Sequence, residues 1–130
     1  MVEARPLRVF VVEDEVLVAM LIEGMLEDMG HELAGLATHL DAALVQAVDV
    51  QTDVAVLDIN LNGKLSFPIA DILRGRGVPF FFASGYGAAG LCDAYRGTFT
   101  LKKPFEAGDL RQALAKMAGP ATGRLADMTP

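Results

Sequence analysis

At 130 residues, 52% of them hydrophobic, the chain is the size of one ordinary domain and has ample material for a single core. Eleven Lys plus Arg against seventeen Asp plus Glu leave a net charge of -6, which opposes long-range attraction to a polyanion and argues against nucleic acid as a direct partner. The apolar runs are far too short to span a bilayer and the start lacks the basic-then-apolar layout of a signal peptide, so a cytoplasmic protein with no membrane partner is expected.

Leu7 to Val12 is a continuous apolar, β-branched run that stops at Glu13-Asp14-Glu15, the pattern of a strand buried on both faces. From Glu15 to Met29 the chain is free of proline and repeats Val18, Ile22, Met25 and Met29 at helical spacing, with Gly30 as the stop. A weaker strand follows at Glu32 to Leu36, then a helix from about Asp41 to Val48 with Leu44, Val45 and Val48 on its inner side. Strand character returns at Val54 to Leu57 and breaks at Asp58, ahead of the turn-rich Asn60-Leu61-Asn62-Gly63. Ser66 is placed to cap a helix whose first turn tolerates Pro68, whose buried stripe is Ile69, Ile72 and Leu73, and which Gly75 and Gly77 end. Val78 to Ala83 reads as a strand, Ala88 to Arg96 as a small helix and Thr98 to Leu101 as a last strand. Asp109 to Ala118 is a last helix with Leu110, Leu114 and Met117 inward, and Gly119 to Pro130 reads as a flexible tail. A single domain over 1–130 with its core at about 7–118 is therefore expected. Five strand signals alternating with five helix signals argue for parallel βαβ units and a doubly wound sheet. Cys92 is alone, and His31 and His39 have no second soft ligand nearby, so these read as packing and surface residues.

In such a sheet, functional groups gather beyond the carboxyl ends of the strands, where strand order reverses. Glu13 and Asp14 follow the first strand, Asp58 the third, Ser84 the fourth and Lys103 the fifth. Three carboxylates brought together repel one another unless a cation is bound, and magnesium suits an oxygen-rich, incomplete cage. Asp58 then has the chemistry of a nucleophile toward a phosphoryl donor. Lys103 would supply a second positive charge, Ser84 a hydroxyl for a phosphoryl oxygen, and backbone N–H groups after Asp58 further donors. Each residue alone has a plainer explanation: a helix start for Glu13 to Glu15, a turn or cap for Asp58, a solvated surface for Lys103. Four strand ends each carrying the right group are hard to attribute to chance.

The runs Val-Val-Glu-Asp-Glu (11 to 15), Leu-Asp-Ile-Asn-Leu (57 to 61), Phe-Ala-Ser-Gly (82 to 85) and Lys-Lys-Pro-Phe (102 to 105) together resemble the receiver domains of two-component response regulators, over residues 7 to about 118. That resemblance implies a flavodoxin-like five-stranded parallel sheet of order 2-1-3-4-5 and phosphorylation of Asp58 by a sensor histidine kinase. It also implies magnesium held by Asp14, Asp58 and the Asn60 carbonyl with Glu13 nearby, a cis peptide between Lys103 and Pro104, and action through a downstream signalling protein. Phe82 to Gly87 is similar to the Phe-Ala-Thr-Gly-hydrophobic-Tyr/Gly signature of single-domain alphaproteobacterial receivers. Two departures stand out: Thr100 occupies the position where most receivers carry a switching Tyr or Phe, and the stretch from Ser84 to Lys103 is short, implying a shortened fourth helix. With Thr100 there, the Ser84 to Gly90 loop carrying Tyr86 is the expected moving part.

Two other functions fit the sequence less well. An aspartate-nucleophile phosphohydrolase typically carries its nucleophile after the first strand with a second Asp two residues on, whereas here position 60 is Asn and Asp58 follows strand three. An interaction module that never turns over phosphate has no need of Asp14, Asp58 and Lys103.

Overall fold

A computed structural model of the protein describes residues 6–118; the tail from Gly119 to Pro130 lies outside the described residues. In chain order the elements are β1 (Arg8–Val12), α1 (Val16–Asp28), β2 (Glu32–Ala37), α2 (Leu40–Asp49) and β3 (Val54–Asp58). A small hairpin follows, β4 (Asn60–Leu61) and β5 (Lys64–Leu65), then α3 (Phe67–Gly75), β6 (Phe80–Ser84), β7 (Thr100–Lys102) and α4 (Ala107–Ala118). The main sheet is parallel with order β2-β1-β3-β6-β7, which is the expected flavodoxin-like 2-1-3-4-5 once the hairpin strands are set aside.

Because side chains alternate along a strand, each central strand feeds two cores. Phe10, Val12, Ala55, Leu57 and Phe82 pack with α2 and α3 on one face, while Val9, Val11, Val54, Val56 and Phe81 pack with α1 and α4 on the other. The β3 and β6 strands are buried at every residue, which explains why they read as unbroken apolar runs.

Two expectations are corrected here. In α2 the inward residues are Ala43 and Ala47, fully buried, whereas Val45 and Val48 are 74% and 61% exposed and only Leu44 of the expected stripe packs on the core. The cause is close approach: Gln46 Nε2 donates to the Leu36 carbonyl at 3.1 Å, and a Cβ on Gly35 would meet Gln46 Oε1 at 2.7 Å, so only small side chains fit beneath the helix. Ser66 stands at the start of α3 without capping it through its side chain; the hydroxyl is buried with no hydrogen-bond partner. Its backbone makes the junction instead, the Ser66 N–H donating to the Ile59 carbonyl at 2.9 Å and its carbonyl accepting from the Ile69 N–H at 2.9 Å.

The shortened fourth helix takes the form of two 3-10 turns, Gly87–Gly90 and Asp93–Tyr95, between β6 and β7. Tyr95 pins this connection to the body. Its ring is buried, stacks on Phe67 at 5.7 Å between centroids and meets Phe80 and Phe82 edge-on, while its hydroxyl donates to Asp71 of α3 at 2.5 Å. Burial raises the Tyr95 phenol to about 12, helped by the Asp71 carboxylate that accepts its proton.

Cys92 is half-buried against the same core, as expected, and His39 is exposed. His31 is half-buried rather than free on the surface, its Nδ1 accepting the Leu7 N–H at 3.0 Å. Among the described residues no helix is long and apolar enough to cross a membrane.

Candidate functional site

β1 and β3 are sheet neighbours with Val12 opposite Leu57, so Glu13 and Asp14 at the end of one strand face Asp58 at the end of the other. β6 lies on the far side of β3 with Ala83 opposite Asp58, which puts Ser84 at the same rim. The Lys103 N–H donates to the Ser84 carbonyl at 2.9 Å, carrying the register of β7 one residue further and setting Lys103 over the site. The Lys103–Pro104 peptide is cis, as the family resemblance implies.

Glu13, Asp14 and Asp58 each offer a carboxylate oxygen, and these lie within 4.8 Å of one another. Glu13 and Asp58 are buried and Asp14 is half-buried. The Lys103 ammonium donates to Glu13 Oε1 and, at 3.2 Å, to Asp58 Oδ2. The other Glu13 oxygen accepts the Glu15 N–H at 3.0 Å, so Glu13 is held by one cation and one amide.

Burial pushes the Asp58 carboxyl up, and the neighbouring Glu13 charge adds to it; with Lys103 opposing, it rises to about 7. Asp14 goes the other way. Burial would raise it, but the Asn62 N–H at 3.0 Å and contacts with Glu13 and Asp58 bring it below the usual carboxylate value. Burial disfavours the Lys103 charge, yet the Glu13 contact and the Asp58 charge hold its ammonium above the usual lysine value. Three carboxylates against one ammonium leave an uncompensated negative charge in a partly dry place, which a hard divalent cation would offset. The donors are all oxygen, and they fit magnesium.

A cleft of about 490 Å³ opens from this cluster, lined by Asp14, Asp58, Asn60, Lys103 and, along α1, by Val18, Leu21 and Met25, with Pro104 and Phe105 on its other wall. Beside it α1 exposes Val16, Leu17, Met20 and Leu21, with Leu17 77% accessible.

No family model matches the chain. The solution structure of SdrG from Sphingomonas melonis Fr1 superposes with a TM-score of 0.73 at 34% identity, covering 85% of this chain and 94% of SdrG. SdrG has also been solved in a BeF3-activated conformation. The PhyR response regulator REC domain from Erythrobacter litoralis superposes with a TM-score of 0.75 at 25% identity, covering 89% of this chain and 95% of that domain. The chain is a response regulator receiver domain. Among curated proteins, the phyllosphere-induced regulator PhyR of Methylorubrum extorquens is 26% identical over 112 residues, 83% of this chain. The receiver spans only 42% of that regulator's length.

All the site residues expected from the sequence gather at one rim of this receiver, and local turns orient two of them. The Asn60 side chain is engaged in its own loop, its Oδ1 accepting the Gly63 N–H at 2.7 Å, while the residue lines the cleft beside the acidic cluster. Ser84 Oγ is buried and accepts the Tyr86 N–H at 3.0 Å, which leaves the hydroxyl hydrogen to donate elsewhere. Asn62, touching Asp14 through its N–H, is the site residue that sequence reasoning missed. The signal was present: Asn-Gly between short flanks is the strongest local mark of a tight hairpin.

Proposed function

We propose that this receiver takes a phosphoryl group on Asp58 from a sensor histidine kinase in a two-component phosphorelay, and that magnesium is held by Glu13, Asp14, Asp58 and the Asn60 main chain. The observation that carries this reading is the buried Asp58 carboxylate within reach of two further carboxylates and 3.2 Å from the Lys103 ammonium. That pairing is costly unless both a cation and an incoming anion are to be accommodated.

When bound, magnesium would offset the negative charge of the cluster and of the phosphoryl oxygens. A carboxylate oxygen of Asp58 attacks the phosphorus of an N-phosphorylated histidine; the P–N bond breaks and the imidazole leaves with its electron pair as the unphosphorylated ring. Lys103 moves its donor from Asp58 to the new phosphoryl oxygens, and Ser84 Oγ donates its hydrogen to another. Water later attacks the phosphorus of the acyl phosphate; the bond between phosphorus and the Asp58 oxygen breaks, inorganic phosphate leaves and the carboxylate is restored. The apolar α1 face beside the cleft is where an amphipathic helix of the kinase would rest, with the cleft open to its histidine. The phosphorylated form then acts on a downstream signalling protein.

Incubation with acetyl phosphate and magnesium should add one phosphoryl group by intact mass, and excess chelator should prevent it. A second added group, or the same yield in chelator, would sink this reading.

A further inference from the structure

The loop between Asp58 and α3 is not a simple turn but a two-residue hairpin. β4 and β5 pair antiparallel with Asn60 opposite Leu65 and Leu61 opposite Lys64, leaving Asn62 and Gly63 as the connection. Both have left-handed backbone, with φ of 54° and 89°, the conformation that such a connection demands and that Asn and Gly tolerate. The base is fixed by the core: Leu61 is fully buried among Ile59 and its neighbours, and the Ser66 N–H closes onto the Ile59 carbonyl. Left to itself, the exposed tip would be held by little. It is tied at one point, where the Asn62 N–H donates to Asp14 Oδ2 at 3.0 Å across 48 residues of sequence.

We propose that the Asn60–Leu65 hairpin is a positioning element for the metal, the Asn62 main-chain N–H taking one oxygen of Asp14 so that its other oxygen is presented to the cation. The inference rests on the magnesium reading above and adds a residue to it. One N–H on one oxygen restricts the rotation of the half-buried Asp14 carboxylate, adding a fixed main-chain partner to its side-chain contacts with Glu13 and Asp58. The same hairpin holds the Asn60 main chain at the rim, since the Asn60 side chain is used up in the turn. Asn62 thus acts through Asp14 and does not itself touch the cation.

The turn offers a clean variant. Gly63 has nothing within 4 Å of where a Cβ would stand, so the β-carbon of Gly63→Val meets open space and the variant acts chiefly through the strain of φ +89°. Gly77, at φ +75° in equally open space beyond α3, is a matched control. Magnesium is titrated into each metal-free protein and followed by backbone amide NMR, a readout that does not depend on phosphorylation. Gly63→Val should bind magnesium about tenfold more weakly than wild type, the scale of one hydrogen bond to a charged group. Gly77→Val should bind as wild type does, and Asn62→Gly, which keeps the N–H and suits the turn, should also match it. If Gly63→Val does not fold, Asp14→Ala decides: its Asn62 amide should exchange with solvent at least tenfold faster than in wild type. Wild-type affinity in Gly63→Val, or unchanged Asn62 exchange in Asp14→Ala, overturns the hairpin's role. Wild-type protein that binds no magnesium overturns the metal reading and this inference with it.

Discussion

Asp58 carries opposing demands: it is buried beside Glu13 and Asp14, and the proposed phosphoryl transfer requires it ionised. Its folded pKa of about 7 stands above the usual aspartate value of about 3.9. A carboxyl raised on folding contributes stability that is complete below its unfolded pKa and is lost as pH rises through its folded pKa. Asp58→Asn has no such loss. In chelator, the melting temperature of Asp58→Asn relative to wild type should therefore climb between pH 5 and pH 8, by roughly 5 °C for a domain of this size. Magnesium at pH 8 should close the gap by stabilising wild type alone. A constant difference across that range would show that ionised Asp58 is not strained by its neighbours. At this scale most of the site was legible, because Glu13, Asp14, Asp58, Ser84 and Lys103 each interrupt an apolar run at a strand end. What could not be read was which local contacts hold them in place. The Asn60 side chain spent on Gly63, and the Ser84 oxygen spent on Tyr86, are set by local turns whose geometry one-dimensional spacing does not contain.

Among the elements, the three central strands were the most legible, because burial on both faces makes them apolar throughout or nearly so, whereas the partly exposed edge strands β2 and β7 give weaker runs. The sides of the helices were less so. A valine pair in α2 looked like core, while the true contact is an alanine pair, since how closely a helix approaches its sheet is decided by the partner, here Gly35 and Phe10. The β6 to β7 connection was harder still. Tyr86 was the expected aromatic part of a switch in this loop, and it is 83% exposed, whereas Tyr95 is the ring that packs. Nothing in the spacing of single aromatic residues in a loop separates the two. Tyr95→Phe should lose about 1 kcal/mol in urea unfolding through the Asp71 hydrogen bond, and Tyr95→Ala about 3–5 kcal/mol through the cluster with Phe67, Phe80 and Phe82. Beryllofluoride with magnesium should change hydrogen exchange most over residues 84–96 and less over 98–101, because Ser84 would donate to the phosphoryl mimic on the proposed reading and Thr100 has little apolar surface to move. Unchanged exchange over 84–96 with a change on another face would contradict that assignment.

For the molecule as a whole, the acidic rim and the apolar α1 face lie side by side, so on the proposed reading one surface would serve both the chemistry and the donor. Leu17→Glu, at an exposed position that does not line the cleft, should slow transfer from a phosphorylated kinase at least tenfold and leave labelling by acetyl phosphate unchanged. Equal slowing with both donors would place the damage in the site rather than in docking. The central claim is that one carboxylate, at the end of β3, takes the phosphoryl group. Borohydride reduces an aspartyl phosphate to homoserine with loss of phosphate, so protein treated with acetyl phosphate and magnesium, reduced and digested, reports the acceptor by peptide mass. The expected result is homoserine at position 58 alone, absent when chelator replaces magnesium; homoserine at position 14, or none at position 58 in protein that has gained phosphate, would contradict it.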